Sequence, residues 1–360
     1  MGNCTTHIDD LDTSICLSRA CFTFLHPIGK GGFGTVWKVQ DPATKQFFAL
    51  KEMNKARILL KKCAAAVINE RKLLAGLRHG FIVNMHMAFQ DRESLYLGMD
   101  YMTGGDLRFH MGKRRRFGEE QGRFLVAGVV LGLEYIHSLN VMHRDIKPEN
   151  LVLDAQGYIR ITDFGIAKTV QQSTGLDLSG TPGYMAPETI CRQSHGFAVD
   201  YYALGVILYE MMMERRPYVG KSRREIMEAI LSKQVQIDGK EVPAGWSQSA
   251  VDLCNSLLQR KQKVRLGYNG SEEVQSHPWF QGFDWVSMRN KTLRSPFIPS
   301  NCGNFDSQKA NQAWADNSQS SKSALYSSSA NSQFSGYFYS EKLSESTDLP
   351  TSARTRLIDA

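Results

Sequence analysis

Between residues 143 and 165 the chain places two carboxylates, a lysine and a carboxamide at spacings suited to moving a charged group. In His143-Arg144-Asp145-Ile146-Lys147-Pro148-Glu149-Asn150 the Asp145 carboxylate can accept or orient a hydroxyl proton. Lys147 can neutralise a phosphoryl group in transit, and the Asn150 carboxamide oxygen can serve a hard Mg2+ ion. Asp163, in Asp163-Phe164-Gly165, supplies a second carboxylate for the metal. Upstream lies a glycine-rich loop, Gly29-x-Gly31-x-x-Gly34-x-Val36. Its backbone N–H groups can approach phosphate oxygens with no Cβ in the way. Alone that loop is ambiguous, because a dinucleotide site shares its spacing and a plain surface turn also holds glycines. Lys51 and Glu70 suit a lysine that grips two phosphates and a helical partner that fixes its ammonium; a chance surface pair would look the same.

These groups need elements to hold them. Phe22-Thr23-Phe24 and Thr35 to Val39 alternate around the glycine cluster, and Phe47 to Lys51 forms another short run, which predicts strands. Lys61 to Leu77 reads as a helix with Val67, Leu73, Leu74 and Leu77 on one face. Ser94 to Asp100 returns to strand. After Gly104-Gly105 the pattern turns helical, with segments at 119–138, 198–213, 222–233 and 247–260. A hairpin is expected before Asp163. The fold class is therefore α+β, a small β-rich lobe (22–101) followed by a larger helical lobe (102–285). Residues 1–21 hold no element the pattern supports. Residues 286–360 form a tail dominated from about Ser300 by Ser, Asn and Gln, expected to be disordered unless a few aromatics pin it to the body.

With 360 residues, 42% hydrophobic and 22% charged, the chain is no fibre, disordered polyampholyte or disulfide-stapled miniature. Its longest apolar stretch, Phe124 to Leu133, is about half the roughly 20 residues a bilayer span needs. The excess of 43 Lys and Arg over 36 Asp and Glu gives +7. That charge is too diffuse to diagnose a nucleic-acid or membrane partner, and Lys113-Arg114-Arg115-Arg116 reads first as a solvated face. Seven scattered cysteines without a Cys-x-x-Cys pair fit neither a zinc site nor a disulfide framework. No charged-then-apolar leader is recognised, so an intracellular, reducing compartment is expected.

Ala186-Pro187-Glu188 completes the set, with Glu188 lying 25 residues past Asp163 and an activation segment fitting between. On these ordered motifs, over about residues 22–285, the chain resembles the eukaryotic protein kinases. Within them it is similar to the AGC group, on Asn69-Glu70-Arg71, the run from Gly180 to Glu188, His277-Pro278-Trp279-Phe280 and the tail stretches Ser295 to Pro299 and Asn304-Phe305-Asp306. It looks closest to the YANK kinases, on Gly104 to His110, Phe197 to Asp200 and Arg215 to Tyr218. The resemblance implies a bilobal kinase fold and an ATP site formed by Ile28, Gly29, Lys30, Gly31, Gly32, Phe33, Gly34, Val36, Ala49, Lys51, Met99, Asp100, Met102 and Asp106. It makes Met99 the residue behind the adenine and Asp100 to Met102 the hinge. Lys51 holds the phosphates, Glu70 anchors it, Asp145 is the base and Lys147 stabilises charge. Asn150 and Asp163 bind Mg2+, with Mn2+ as a substitute. Lys147 together with Thr181 points to Ser/Thr substrates, and Arg265 is expected to pair with Glu188.

By the same resemblance Asp106, Glu149 and Glu210 would receive Arg side chains of a basic protein substrate. The competing roles are a ribose contact for Asp106 and structural pairing for the two glutamates. Asp177 stands where AGC kinases usually carry a phosphorylatable Thr. It is read either as a fixed charge near Arg144 that stands in weakly for phosphate, or as an inert substitution. In the tail, Phe334-x-x-Tyr337-Phe338-Tyr339 loosely resembles the AGC hydrophobic motif, with Phe338 at the phosphosite; a stray aromatic cluster is the alternative. Met1-Gly2-Asn3-Cys4-Thr5-Thr6 fits N-myristoylation at Gly2, with Cys4 open to palmitoylation. One myristoyl chain anchors only marginally and Asp9, Asp10 and Asp12 follow, so the second acyl group would be needed for stable membrane attachment. The expected protein is a monomeric Ser/Thr kinase, cytoplasmic and partly at the plasma membrane, with no nucleic-acid partner. A pseudokinase scaffold is the alternative, although Lys51, Asp145, Asn150 and Asp163 are all present.

Overall fold

Alternating apolar residues at one end of the chain and long apolar runs further on give two kinds of packing unit. The computed structural model describes residues 17–113, 117–170, 178–300, 304 and 333–341. In the small lobe, Thr23–Lys30 (β1), Gly34–Gln40 (β2) and Phe47–Asn54 (β3) pair antiparallel, Val36 opposite Lys51. The glycine loop is thus the tip of a β1–β2 hairpin. Gly34 is required at its base, since a Cβ there would meet the Glu52 carbonyl oxygen at 1.8 Å.

A short helix that the pattern does not single out, Lys55–Leu60 (α1), precedes the helix predicted over 61–77, which is Ala64–Ala75 (α2). Asn54 caps the first by accepting from the Arg57 N–H, and Lys62 at φ 54° breaks the run. Met85–Gln90 (β4) is a strand that the sequence pattern does not single out, because its methionines carry little strand preference and its burial does not alternate. Ser94–Asp100 (β5) lies between β3 and β4.

The large lobe begins with Leu107–Lys113 (α3) and Glu119–Ser138 (α4), then the strand Val141–Met142 (β6). A hairpin of Leu151–Leu153 (β7) and Ile159–Ile161 (β8) follows, then Lys168–Thr169 (β9), which pairs with β6. Pro187–Ile190 (α5), Ala198–Met213 (α6), Arg223–Ser232 (α7) and Gln248–Leu257 (α8) complete the part that matters here. Helix α6 is buried over nearly its whole length, as an all-round apolar helix must be. It packs between α4 and α8. Gly128 on α4 lets the hairpin approach: a Cβ would meet Ile159 Cγ2 at 2.5 Å. Finally Tyr339–Ser340 (β10) returns from the tail to the sheet edge beside β4, giving the order β1-β2-β3-β5-β4-β10. Among the described residues no helix is long and apolar enough to cross a membrane.

Candidate active site

Between the lobes lies a cavity of about 1180 Å³. Every residue the sequence places around ATP lines it except Phe33, which packs against the core, and Gly34, which sits at the hairpin base. Val83, Val152 and Thr162 also line it. Sequence reasoning passed over Val83 and Val152 because an apolar residue facing a ligand looks like any core residue, and over Thr162 because a single threonine just past a strand carries no motif of its own.

From the small lobe, Lys51 on β3 donates to Glu70 Oε1 on α2 at 2.8 Å and lies 3.5 Å from Asp163 Oδ1. Burial works to deprotonate Lys51, but the two carboxylates outweigh it and hold its pKa above the usual lysine range. Burial also lifts the Glu70 carboxyl, against the pull of Lys51. The Lys51 ammonium in turn holds Asp163 below the ordinary carboxylate range.

From the large lobe, the β7–β8 register sets Leu151 opposite Ile161, and the Thr162 N–H bonds the Asn150 carbonyl. The open end of this hairpin therefore carries Asn150 opposite Thr162, with Asp163 the next residue along. Asn150 donates its amide hydrogens to the Asp145 carbonyl at 2.9 Å and to Oδ2 at 3.2 Å, a posture that leaves its carboxamide oxygen as an acceptor. Lys147 Nζ donates to Asp145 Oδ2 at 2.6 Å and to Thr181 Oγ1 at 2.9 Å, and Thr181 donates to Asp145 Oδ1 at 2.8 Å. Asp145, Lys147 and Thr181 form a closed triangle beside the metal-ligating candidates.

Asp200 at the start of α6 fixes this loop. Its Oδ2 accepts from the His143 N–H at 3.0 Å and its Oδ1 from the Arg144 N–H at 2.8 Å, while His137 Nε2 lies 2.9 Å away. Arg144 is held at φ 66° and Asp163 at φ 65°, left-handed conformations that cost a non-glycine residue energy and persist where neighbours enforce them. The sequence reading gave Asp200 no role; its signal is a carboxylate in the first turn of a largely apolar helix, which must find partners when buried.

The acidic positions differ from the open pocket expected for a substrate arginine. Arg108 donates from Nε to Glu149 at 2.9 Å and from Nη1 and Nη2 to both Glu210 oxygens at 2.6 and 3.1 Å, and it also bonds the Tyr184 hydroxyl. Burial works to raise the Glu210 carboxyl, but Arg108 and Tyr184 hold it below its usual range. Both glutamates are thus paired internally. Asp106 faces the cavity and accepts from the Phe109 N–H at 2.7 Å at the start of α3.

The tail aromatics meet the small lobe. Phe334 and Tyr337 are fully buried, Gln90 donates to the Phe334 carbonyl at 2.8 Å, and Arg71, next to Glu70 on α2, donates to the Gly336 carbonyl at 2.7 Å. Phe338 packs on the sheet's other face with Phe48, Met87 and Phe89. Arg144 donates from Nε to the Ile166 carbonyl at 2.8 Å, whereas Asp177, Gly2 and Cys4 lie outside the described residues.

A protein kinase domain model matches residues 22–280. The chain is a protein kinase. Among curated proteins, this kinase is 39% identical over 93% of its length to a Dictyostelium discoideum protein named a probable serine/threonine-protein kinase, covering 73% of that protein. It is 37% identical to the human serine/threonine-protein kinase Sgk2, over 88% of each chain. It is 38% identical to the Dictyostelium catalytic subunit of cAMP-dependent protein kinase, over 77% of this chain and 42% of that one. Such relatives place it among the serine/threonine kinases of the AGC group, a family that uses ATP and Mg2+.

Proposed function

We propose that this kinase transfers the γ-phosphoryl of ATP to Ser or Thr hydroxyls of protein substrates, with Asp145 as base and Lys147 as charge stabiliser. The observation that carries this is the Asp145–Lys147–Thr181 triangle, whose Lys147 and Thr181 line the same cavity as Lys51 and Glu70. An incoming hydroxyl gives its proton to Asp145 as its oxygen bonds the γ-phosphorus and the bond to the β-phosphate oxygen breaks. Lys51 holds the remaining phosphates, and Lys147 offsets the charge on the group in flight. Asn150 and Asp163 offer the oxygen donors a hard cation takes, and two protein ligands suit Mg2+ shared with substrate phosphates. Bound there, Mg2+ would neutralise phosphate charge.

Phosphate transfer by phosphatase-treated recombinant protein to a Ser/Thr peptide library tests the reading. Asp145→Asn should lower transfer by about 10²–10⁴-fold while Mg-ATP still binds. Binding without transfer in the unmutated protein would return the scaffold reading.

A preference for basic residues near the target rests on Asp106, Glu149 and Glu210. The contacts of Arg108 favour a second reading, in which an internal guanidinium fills the acidic pair and an incoming arginine must displace it. Selection of Arg by both wild type and Arg108→Ala supports the first; selection only by the variant supports the second.

The kinase acts as a monomer from the cytoplasmic face of a membrane, through acyl groups on Gly2 and Cys4. Gly2→Ala should then leave the membrane fraction when expressed in a eukaryotic cell. Asp177 biases the activation segment through Arg144, and unchanged activity in Asp177→Ala would reject that role.

A further inference from the structure

The strand β10 does more than close a sheet edge. Its register sets Tyr339 opposite Ala88 and Ser340 opposite Met87, so the next residue, Glu341, falls opposite His86. His86 sits at an irregularity in the β4–β5 ladder, where pairing jumps from Met85–Met99 to Met87–Gly98. An extra residue of this kind re-aims a side chain. The imidazole consequently reaches both ways across β4. Nδ1 lies 2.5 Å from Glu341 Oε2 and Nε2 lies 2.7 Å from Asp100 Oδ1.

Asp100 is the last residue of β5 and lines the inter-lobe cavity. Its other oxygen accepts from the Asn84 backbone and side-chain amides at 3.0 and 2.9 Å and from Arg160 Nη1 at 2.8 Å. The second Glu341 oxygen pairs with Arg78, and the edge of His86 rests on Phe48 of β3. A continuous chain of charge therefore runs from the tail to the wall of the nucleotide site.

We propose that Glu341 is a positioning residue: through His86 it ties the docked tail to Asp100 at the wall of the nucleotide site. Both imidazole nitrogens are engaged, one by each carboxylate, so the ring bridges tail and hinge directly. Asp100 has Asn84 and Arg160 besides His86. Glu341, just past the two-residue strand β10, is the partner that links this cluster to the tail. The coupling is separate from the aromatic contacts on α2, because it reaches the hinge through β4 and β5. It rests on the reading of the cavity as a nucleotide site.

The test uses the full chain and two readouts that need no catalysis. One is the affinity for a non-hydrolysable ATP analogue with Mg2+ by calorimetry. The other is hydrogen exchange of the 334–341 amides. Both are compared between variant and wild type at one fixed pH. Glu341→Gln and His86→Gln should each show nucleotide binding weaker by about three- to tenfold and tail exchange faster by about tenfold, the scale of one charge-assisted hydrogen bond. Glu341→Asp, which keeps the charge, should recover most of both. Unchanged tail exchange in Glu341→Gln would overturn the tie, and faster exchange with unaltered nucleotide affinity would overturn its reach to the hinge. A chain that bound nucleotide but transferred no phosphate would sink the catalytic reading alone.

Discussion

Arg265 with Glu188 in the large lobe, and Lys51 with Glu70 in the small lobe, are both buried cation–carboxylate pairs, and they differ in how completely each is satisfied. Arg265 makes five hydrogen bonds: two to the Glu188 oxygens at 2.6 and 2.9 Å, and three to the carbonyls of Ala198, Gln259 and Arg260. An arginine has five N–H hydrogens, so nothing is left over. Lys51 has one bond to Glu70 and a looser approach to Asp163, and it borders the cavity. Burial does not separate a brace from a working group; spare donor capacity does. The carriers differ in the same sense. Glu188 lies on α5, whose four residues are all buried, while Glu70 lies on α2, whose neighbouring Arg71 is held by the tail.

The sharpest way to break this comparison is to remove each cation. Arg265→Met strands a buried carboxylate with no route to water, and should cost about 3–5 kcal/mol of stability by chemical denaturation. Lys51→Met should leave stability within about 1 kcal/mol, because Glu70 already holds its proton more readily than an exposed carboxyl and can take one up. Its phosphate transfer should fall by about 10²–10³-fold, the scale of losing a preorganised charge at the reacting group. Equal losses of stability in the two variants would show that the small-lobe pair is also a brace.

How much of this was legible in the sequence follows the same division. Lys51, Asp145, Lys147, Asn150 and Asp163 stand in fixed local motifs, and local spacing survives folding, so a single chain reveals them. The α+β division into two lobes and the helices at 119–138 and 198–213 were legible from hydropathy. Strand β4 was not, since Met85-His86-Met87-Ala88-Phe89-Gln90 lacks alternation and gains its strand state from pairing with β5 on one side and β10 on the other. Asp200, Arg108 and His86 were illegible for a related reason. Their partners lie dozens to hundreds of positions away, and only tertiary contact shows that Arg108 fills the acidic pair or that His86 faces Glu341.

A smaller effect is expected at the tail. Phe334→Ala removes a fully buried ring that packs beneath Lys55 of α1 and should weaken tail docking by about 3 kcal/mol. Transfer should drop roughly tenfold, with midpoint denaturation of the large lobe unmoved, since Phe334 is held on the small lobe by Gln90 and Lys55. Activity equal to wild type with a released tail, read by limited proteolysis, would mean that α2 keeps Glu70 in place unaided.

The smallest effect is one of pH, and its sign follows from Asp100. Burial works to raise this carboxyl, but the hydrogen bond from His86, the Asn84 amide and Arg160 together bring it down to about 2. A carboxyl whose folded pKa lies below its unfolded value adds stability above the unfolded value and loses it as pH falls through the folded one. Asp100 should therefore contribute about 2 kcal/mol at neutral pH, and that contribution should vanish between about pH 4 and about pH 2. In Asp100→Asn the stability curve should be flatter over that window and lower at neutral pH, with the two curves converging in acid. The large-lobe pair supplies the contrast, because Arg265 cannot lose its proton and Arg265→Met should lie below wild type at every pH above that window. Parallel curves for Asp100→Asn and wild type would mean that the hinge carboxylate is held by shape alone, and that the charges of His86 and Arg160 do nothing there that a neutral amide could not.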